Sequence, residues 1–220
     1  MNKEASYIIE NMKSTGMIPV FNHANIEITQ QVVDAAYQGG VRVFEFTNRG
    51  ANALEVFKAL KSYTEKYEDL LLGIGTIFTK EQAADFIAAG TDFIVSPALI
   101  DEVAEEAIKH NMVWIPGCAT LTEVYKAITM GAAVVKSFPG NVLGPDFIKA
   151  VKSVLPEVHI MPTGGVKPTR ENLSQWFNAG VLCVGMGSQL FNKEDIKNKN
   201  YTKLSADITN AINLIKELKG

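Results

Sequence analysis

One pattern recurs along the 220-residue chain and constrains its fold more than any other feature. A helix-like amphipathic stretch ends in glycine, and a short β-branched run begins one or two residues later. Glycine can close a helix in the left-handed conformation that residues with a Cβ avoid. The clearest examples are Gly40 before 41–46, Gly90 before 92–95, Gly131 before 133–135, and Gly180 before 181–184.

Short apolar runs predict eight strands, each followed by a helix-like segment. Strands that alternate with helices are typical of right-handed crossovers and a parallel sheet. Eight such units in about 200 residues predict a closed (β/α)8 barrel, also called a TIM barrel, in one α/β domain over residues 1–220. The predicted strands lie near residues 17–21, 41–47, 70–75, 92–96, 112–116, 133–138, 158–162 and 181–185.

An additional helix is predicted before the first strand. Residues 3–14 place Ile8, Ile9 and Met12 on one face, which we expect to cover an end of the barrel. An open doubly wound sheet is the alternative fold. Such a sheet normally carries a glycine-rich phosphate turn after its first strand, and residues 20–25 offer none.

The composition limits the classes of partner. A hydrophobic content of 47% with 20% charged residues allows one sizeable core. The net charge of −3 argues against nucleic acid or an anionic membrane as the main partner. Residues 1–16 carry several charges and no long apolar run, so we expect no signal peptide, no membrane span and a cytoplasmic protein. Cys118 and Cys183 are isolated thiols that we expect to be reduced and structural.

Lys136 is the most unusual residue of the predicted strands, because it lies inside the apolar run 133–139. Lysine is almost never buried without a partner. Burial favours the uncharged amine, which is a nucleophile able to form an imine with a ketone. A strand-end lysine that extends to solvent fits the position equally well.

Glu45 is expected to lie near Lys136. Alternation of side chains along a strand puts Val43, Glu45 and Thr47 on the inner face of the second strand, and the same count puts Lys136 on the inner face of the sixth. One interpretation is an imine-forming lysine with a glutamate that transfers protons around it. The alternative is a simple buried ion pair.

Other polar residues follow the carboxyl ends of the strands, where barrels of this type build their sites. The guanidinium of Arg49 suits a carboxylate, although a surface salt bridge is the commoner fate of such a residue. Thr163-Gly164-Gly165 and the run from Gly185 to Ser188 follow strands seven and eight, where loop amides often bind phosphate. Each glycine cluster could also be an ordinary tight turn.

A metal site is not expected. His110 and His159 fall away from this rim, which leaves only His23 near it. A site in which carboxylates bind Mg²⁺ remains an alternative.

Six segments of the chain are typical of one known family: 40–49, 73–76, 94–97, 115–117, 136–139 and 162–165. Together they resemble the class I aldolases of 2-keto-3-deoxy-6-phosphogluconate (KDPG) and 4-hydroxy-2-oxoglutarate (KHG), from about Gly16 to Gly187. The resemblance implies a homotrimer in which Lys136 is the Schiff-base lysine and Glu45 the proton carrier. It also implies a substrate pocket formed by Arg49 and Thr76 at the carboxylate, Pro97 and Phe138 along the wall, and Thr163, Gly164, Gly165, Gly185 and Ser188 toward the phosphate.

Several positions depart from the usual pattern of that family. Phe46 and Ser137 are expected to point toward the helices, where they would only change the packing. Asn48 and Gly140 lie nearer the rim, and together with Asn22 and His23 they leave the identity of the substrate open.

The resemblance implies cleavage of KDPG to pyruvate and glyceraldehyde 3-phosphate, with KHG as a further substrate. No metal or organic cofactor is expected, because the protonated imine accepts the electrons. The 2-keto-3-deoxy-6-phosphogalactonate aldolases are an alternative. Two further alternatives are another phosphosugar enzyme, such as an epimerase or decarboxylase, and a non-catalytic barrel that binds a sugar phosphate.

Overall fold

The computed structural model describes residues 4–220, in which helices and strands alternate along the chain. The strands are β1 (Met17–Phe21), β2 (Val43–Thr47), β3 (Leu71–Gly75), β4 (Phe93–Val95), β5 (Val113–Ile115), β6 (Gly117–Cys118), β7 (Val135–Ser137), β8 (Ile160–Pro162) and β9 (Val184–Met186). The helices are α1 (Ala5–Thr15), α2 (Ile26–Gln38), α3 (Ala53–Thr64), α4 (Lys80–Ala88), α5 (Asp101–Lys109), α6 (Leu121–Thr129), α7 (Gly140–Val154), α8 (Arg170–Asn178), α9 (Lys193–Lys197) and α10 (Tyr201–Lys219).

The strands pair in parallel, which confirms the predicted α/β class. One sheet has the order β5-β4-β3-β2-β1-β9 and the other has the order β6-β7-β8. An isolated parallel bridge between Thr163 and Gly185 joins the end of β8 to β9. All carboxyl ends of the strands therefore lie at the same edge, and the loops that follow them meet there.

The predicted fifth strand, 112–116, contains β5, and a further short strand, β6, begins just beyond its predicted end. Proline has no N–H to donate to a ladder, and Pro116 separates β5, which pairs with β4, from β6, which pairs with β7. The carbonyl of Pro116 still accepts a hydrogen bond from the backbone N–H of Lys136 at 2.8 Å. This bond sets Gly117 opposite Lys136 in the register of β6 and β7.

Two apolar clusters lie on the two faces of the strands. Phe44 and Phe46 belong to the outer cluster against the helices, and the Phe46 ring lies 6.3 Å from that of Phe57 on α3. Val43 belongs to the inner cluster, as alternation along β2 predicts. The inner cluster comprises Ile8, Met12, Ile18, Val43, Leu71, Phe93, Val95, Val113, Ile115, Val134, Met161, Leu182 and Cys183.

Helix α1 occupies most of the segment predicted as an additional helix, and its Ile8 and Met12 are buried in the inner cluster. Lys3, the predicted start, lies outside the described residues. Within residues 4–220, no helix has both the length and the apolar character needed to cross a membrane.

Capping residues mark both ends of several helices. Threonine side chains accept backbone N–H groups at the first turns of α4, α6 and α8, and Thr120 and Glu123 of α6 form a reciprocal capping box. Gly40 and Gly90 adopt φ values of +100° and +85°, as the recurring glycines predict. Short, well-capped connections of this kind hold the rim residues close to the strands that carry them.

Candidate active site

Glu45 and Lys136 meet on the inner face of the strands, as alternation predicts. Glu45 is 0% exposed on β2, and Lys136 is 5% exposed on β7. The Lys136 Nζ lies 3.8 Å from the Glu45 Oε1, which is close enough for an ion pair and too long for a direct hydrogen bond. Lys136 therefore does not extend to solvent.

The Glu45 carboxylate lacks the hydrogen bonds that normally accompany a buried charge. Neither of its oxygens has a hydrogen-bond partner among the described residues. Burial raises the pKa of Glu45 above its ordinary value of 4.5, although the nearby charges of Lys136 and Arg49 oppose this shift. A carboxyl group with a raised pKa holds its proton more readily than an exposed carboxylate does, which suits a group that must both accept and donate a proton.

Glycine on the neighbouring strand makes room for the Glu45 side chain. Gly75 of β3 lies beside it, and a Cβ at this position would come within 1.9 Å of the Glu45 Oε1. Gly117 on β6 makes room for a different group, because a Cβ there would come within 2.2 Å of the Pro97 carbonyl oxygen. The space for the Glu45 carboxylate therefore depends on Gly75, and the close approach of β6 to the chain at Pro97 depends on Gly117.

A cavity of about 850 Å³ opens at the carboxyl ends of the strands. The Lys136 Nζ lies 5.2 Å from the centre of the Phe138 ring, and this ring lines the cavity. The buried pair therefore lies next to the cavity wall. Of the residues predicted for the site, the wall contains Arg49, Phe138, Thr163, Gly164, Gly165, Gly185 and Ser188.

Two predicted site residues, Thr76 and Pro97, lie outside the lining of this cavity, at the ends of β3 and β4. Thr76 adopts φ +65°, a left-handed conformation that a β-branched residue rarely accepts. Strain of this kind is often concentrated at functional sites. Asn48 also lies outside the lining, and its backbone N–H donates to the carbonyl of Gly75 at 2.8 Å.

Free hydrogen-bonding groups gather at the side of the cavity formed by β8 and β9. Within residues 4–220, the backbone N–H groups of Gly165 and Ser188 donate no hydrogen bond. The Thr163 hydroxyl is buried without a partner among the same residues, and a Cβ at Gly185 would come within 2.2 Å of it. This side of the cavity can therefore supply several donors to an anion.

Sequence reasoning missed two cations of the cavity wall, Lys193 and Lys197. Both lie on α9, are exposed, and form no ion pair within the described part of the chain. Their spacing of four residues places them on one helix face, and this spacing was the available signal. Lys203 from the same stretch is instead paired with Asp195 and Asp207.

The described residues contain no group of three or more histidine, cysteine, aspartate or glutamate side chains that could hold a metal ion. His23 lines the cavity, whereas His110 contacts Glu106 at 3.0 Å and His159 lies beside β8. Burial raises the pKa of both Cys118 and Cys183 to about 12, so neither thiol is readily ionised.

Comparison with known proteins gives the family. The model of the family described as KDPG and KHG aldolase matches residues 8–206. The chain belongs to this family. The match confirms the family that the motifs indicated, together with its enzyme class, the carbon–carbon lyases.

Individual relatives carry names within the same class. The chain is 39% identical to the 2-dehydro-3-deoxy-6-phosphogalactonate aldolase of Escherichia coli over 61% of this chain, and the match spans 65% of that protein. It is 32% identical to the 2-dehydro-3-deoxy-phosphogluconate aldolase of Treponema pallidum, over 90% of this chain and 93% of that protein.

A solved structure is also similar. The KDPG aldolase of Legionella pneumophila superposes with a TM-score of 0.83 at 30% identity, and the match covers 91% of this chain and 96% of that one. That enzyme was captured with pyruvate as a covalent carbinolamine.

The contact between Gly75 and Glu45 gives a first prediction. We expect Gly75→Ala to lower the free energy of unfolding by about 1–3 kcal/mol, because the added methyl displaces the carboxylate. In a Glu45→Ala background the same substitution should cost less than about 0.5 kcal/mol, since the obstructing group is gone. Urea unfolding of the four proteins measures both values. An equal loss in the two backgrounds would show that Gly75 is constrained by something other than Glu45.

The raised pKa of Glu45 gives a prediction about stability and pH. The folded protein holds the Glu45 proton more tightly than the unfolded chain does, so this group's contribution to stability is present below about pH 4.5 and is lost as the pH rises. Glu45→Gln should therefore melt at a higher temperature than the parent at pH 8, with a difference that shrinks toward pH 4. Thermal unfolding across that range measures it. If the parent melts at a higher temperature than Glu45→Gln at pH 8, the raised pKa of Glu45 is contradicted.

Proposed function

We propose that this chain is a class I aldolase that cleaves KDPG to pyruvate and glyceraldehyde 3-phosphate through an imine at Lys136. The observation that carries the proposal is the buried amine of Lys136, 3.8 Å from a carboxylate that accepts no hydrogen bond from any residue in 4–220. A purely structural ion pair would be expected to satisfy both carboxylate oxygens. A buried carboxylate whose two oxygens both lack a hydrogen bond among the described residues, next to a cavity, fits a site that awaits a ligand.

The proposed reaction begins at the C2 ketone. The Lys136 amine attacks C2, Glu45 delivers a proton to the resulting C2 hydroxyl, and water leaves to give the protonated imine. The ionised Glu45 then takes the proton of the C4 hydroxyl. The C3–C4 bond breaks, its electron pair moves into the protonated imine, and glyceraldehyde 3-phosphate leaves as the aldehyde. Glu45 returns the proton to C3 of the enamine, and hydrolysis of the imine releases pyruvate.

The two ends of the substrate fit different parts of the site. At the keto-acid end, Arg49 and Thr76 are proposed to hold the carboxylate, with Pro97 and Phe138 against the pyruvoyl group. Arg49 is near enough to Glu45 for its charge to oppose the rise in the pKa of Glu45, which supports a position at this end.

The phosphate is proposed to bind on the opposite side of the cavity. Gly164, Gly165, Gly185, Thr163 and Ser188 lie there, and the free N–H groups of Gly165 and Ser188 support this placement. Among the described residues, the side chains of the cavity wall include Arg49, Lys193 and Lys197 and no aspartate or glutamate. In a chain with a net charge of −3, this arrangement favours a substrate with negative charge at both ends.

A phosphogalactonate-derived substrate is the second candidate, because the Escherichia coli relative at 39% identity is named for it. The two substrates use the same lysine and glutamate chemistry. Pyruvate release from the gluconate- and galactonate-derived phosphates and from KHG, measured side by side, discriminates among them.

We also propose that the two sheets form one closed eight-stranded barrel in a single domain. Two observations support closure: the bridge from Thr163 to Gly185 joins β8 to β9, and only Pro116 separates β5 from β6. Helix α1 would then cover the end of the barrel opposite the cavity, because its Ile8 and Met12 lie in the inner cluster.

A homotrimer is proposed because the family resemblance implies one. Leu121 and Tyr125 lie one turn apart on α6 and are 45% and 58% exposed, so a partner subunit that covers them would remove apolar surface from water. The cytoplasmic location and the lack of nucleic-acid or membrane partners stay predictions.

Trapping with borohydride tests the covalent step. Pyruvate followed by borohydride should add one reduced adduct to the protein, at Lys136, because this is the buried amine beside the proton carrier. Lys136→Ala should abolish the adduct, whereas Lys193→Ala should keep it. Intact-protein and peptide mass spectrometry measure both. An adduct on another lysine would contradict the mechanism. The absence of any adduct would favour the epimerase, decarboxylase or non-catalytic alternatives.

Ser188→Asp tests the phosphate site. A negative charge facing a phosphate in a partly desolvated site is expected to lower kcat/KM for KDPG by about 10²-fold or more. The matched variant Ser188→Ala removes one hydroxyl without adding charge and should lose about tenfold or less. Neither variant should change turnover of KHG, which has no phosphate, by more than a few-fold. Equal losses on the two substrates would place the phosphate elsewhere.

A further inference from the structure

His23 lines the cavity at the end of β1, and nothing in the proposed reaction uses it. Its ring is held in one orientation. The Nδ1 atom accepts a hydrogen bond from the backbone N–H of Asn25 at 3.0 Å. A backbone N–H is only a donor, so Nδ1 carries no proton and the neutral ring has its proton on Nε2.

The loop that carries His23 is fixed on several sides. The His23 carbonyl accepts from the Thr29 hydroxyl at 3.2 Å, and the Asn25 side chain caps α2 by accepting the N–H of Ile28. The side chain of Asn52 donates to the carbonyl of Ala24 at 2.9 Å. The ring is therefore positioned before any ligand binds.

The Nε2–H of His23 has no acceptor within residues 4–220. His23 is half-buried, so this donor is partly removed from water. Donors left unpaired in the wall of a cavity favour ligands that supply an acceptor. His23 therefore presents a fixed donor to whatever occupies the cavity.

The position of β1 decides which part of the ligand His23 meets. β1 pairs with β2 on one side, where Val20 lies opposite Glu45, and with β9 on the other, where Pro19 lies opposite Met186. The end of β1 thus lies between the proton carrier on β2 and Ser188 after β9. A substrate that runs from Glu45 to Ser188 passes His23 midway.

We propose that His23 is a specificity-determining residue whose Nε2–H donates a hydrogen bond to the C5 hydroxyl of the phosphorylated six-carbon keto acid. This inference rests on the proposed function. C2 is bound to Lys136, the C4 hydroxyl gives its proton to Glu45, and the phosphate on C6 meets the side at Ser188. C5 carries the one remaining hydroxyl, and it lies in the part of the substrate that faces β1.

The test compares two variants on three substrates: KDPG, its analogue without the C5 hydroxyl (2-keto-3,5-dideoxy-6-phosphohexonate), and KHG, which has neither C5 hydroxyl nor phosphate. His23→Phe keeps a flat ring and removes the donor. His23→Gln keeps an N–H donor near the place of Nε2. Thermal unfolding of both variants checks that the fold is retained.

His23→Phe should lower kcat/KM for KDPG about tenfold, as expected for one lost hydrogen bond to a partly buried hydroxyl. It should leave the analogue and KHG within about threefold of the parent, and His23→Gln should stay within about threefold on all three substrates. An equal loss on all three substrates, or no loss on KDPG, overturns the role of His23 and leaves the aldolase assignment standing. A parent that releases no pyruvate from any of them overturns both.

Discussion

The burial of Glu45 against Lys136 is the constraint on which the rest of the site depends. Removing a carboxylate from water raises its pKa, and the amine 3.8 Å away offsets only part of that effect. Burying the ionised carboxylate lowers the stability of the fold, but it also prepares the pair for chemistry. A carboxyl group that readily changes protonation can carry protons to and from an imine. Stability and function thus make opposite demands on Glu45.

The surrounding backbone is adapted to this pair. Gly75 leaves space for the Glu45 carboxylate, and Gly117 lets β6 approach the chain at Pro97 while it stays in register with Lys136. The break between β5 and β6 at Pro116 makes this register possible. The Pro116 carbonyl accepts a hydrogen bond from the backbone N–H of Lys136, whereas the proline has no N–H to donate to a neighbouring strand. The cavity then extends from the pair toward β8 and β9, where donors remain free for an anion.

Much of this arrangement follows from local sequence rules. Strict alternation along β2 and β7 was enough to place Glu45 and Lys136 on one inner face, and glycines after helices marked where strands begin. The division at Pro116 and the left-handed Thr76 were not predicted, because each depends on neighbours distant in the chain. The spacing of Lys193 and Lys197 places both on one face of α9, but only the fold brings that face to the cavity. The substrate contacts of Asn48 and Gly140 stay open for the same reason. The proposed role of His23 rests on the hydrogen bond at its Nδ1 atom and on its place in the cavity wall, and strand alternation predicts neither.

The central claim is that Lys136 and Glu45 together convert a bound 2-keto acid to its enamine and back. Exchange of the pyruvate methyl protons with D₂O, followed by proton NMR, tests both steps without any assumption about the aldehyde substrate. The parent should exchange these protons far faster than buffer alone. Lys136→Ala should not exceed the buffer rate, and Glu45→Gln should be slower than the parent by about 10²–10⁴-fold. Exchange that persists at the parent rate in either variant would contradict the account.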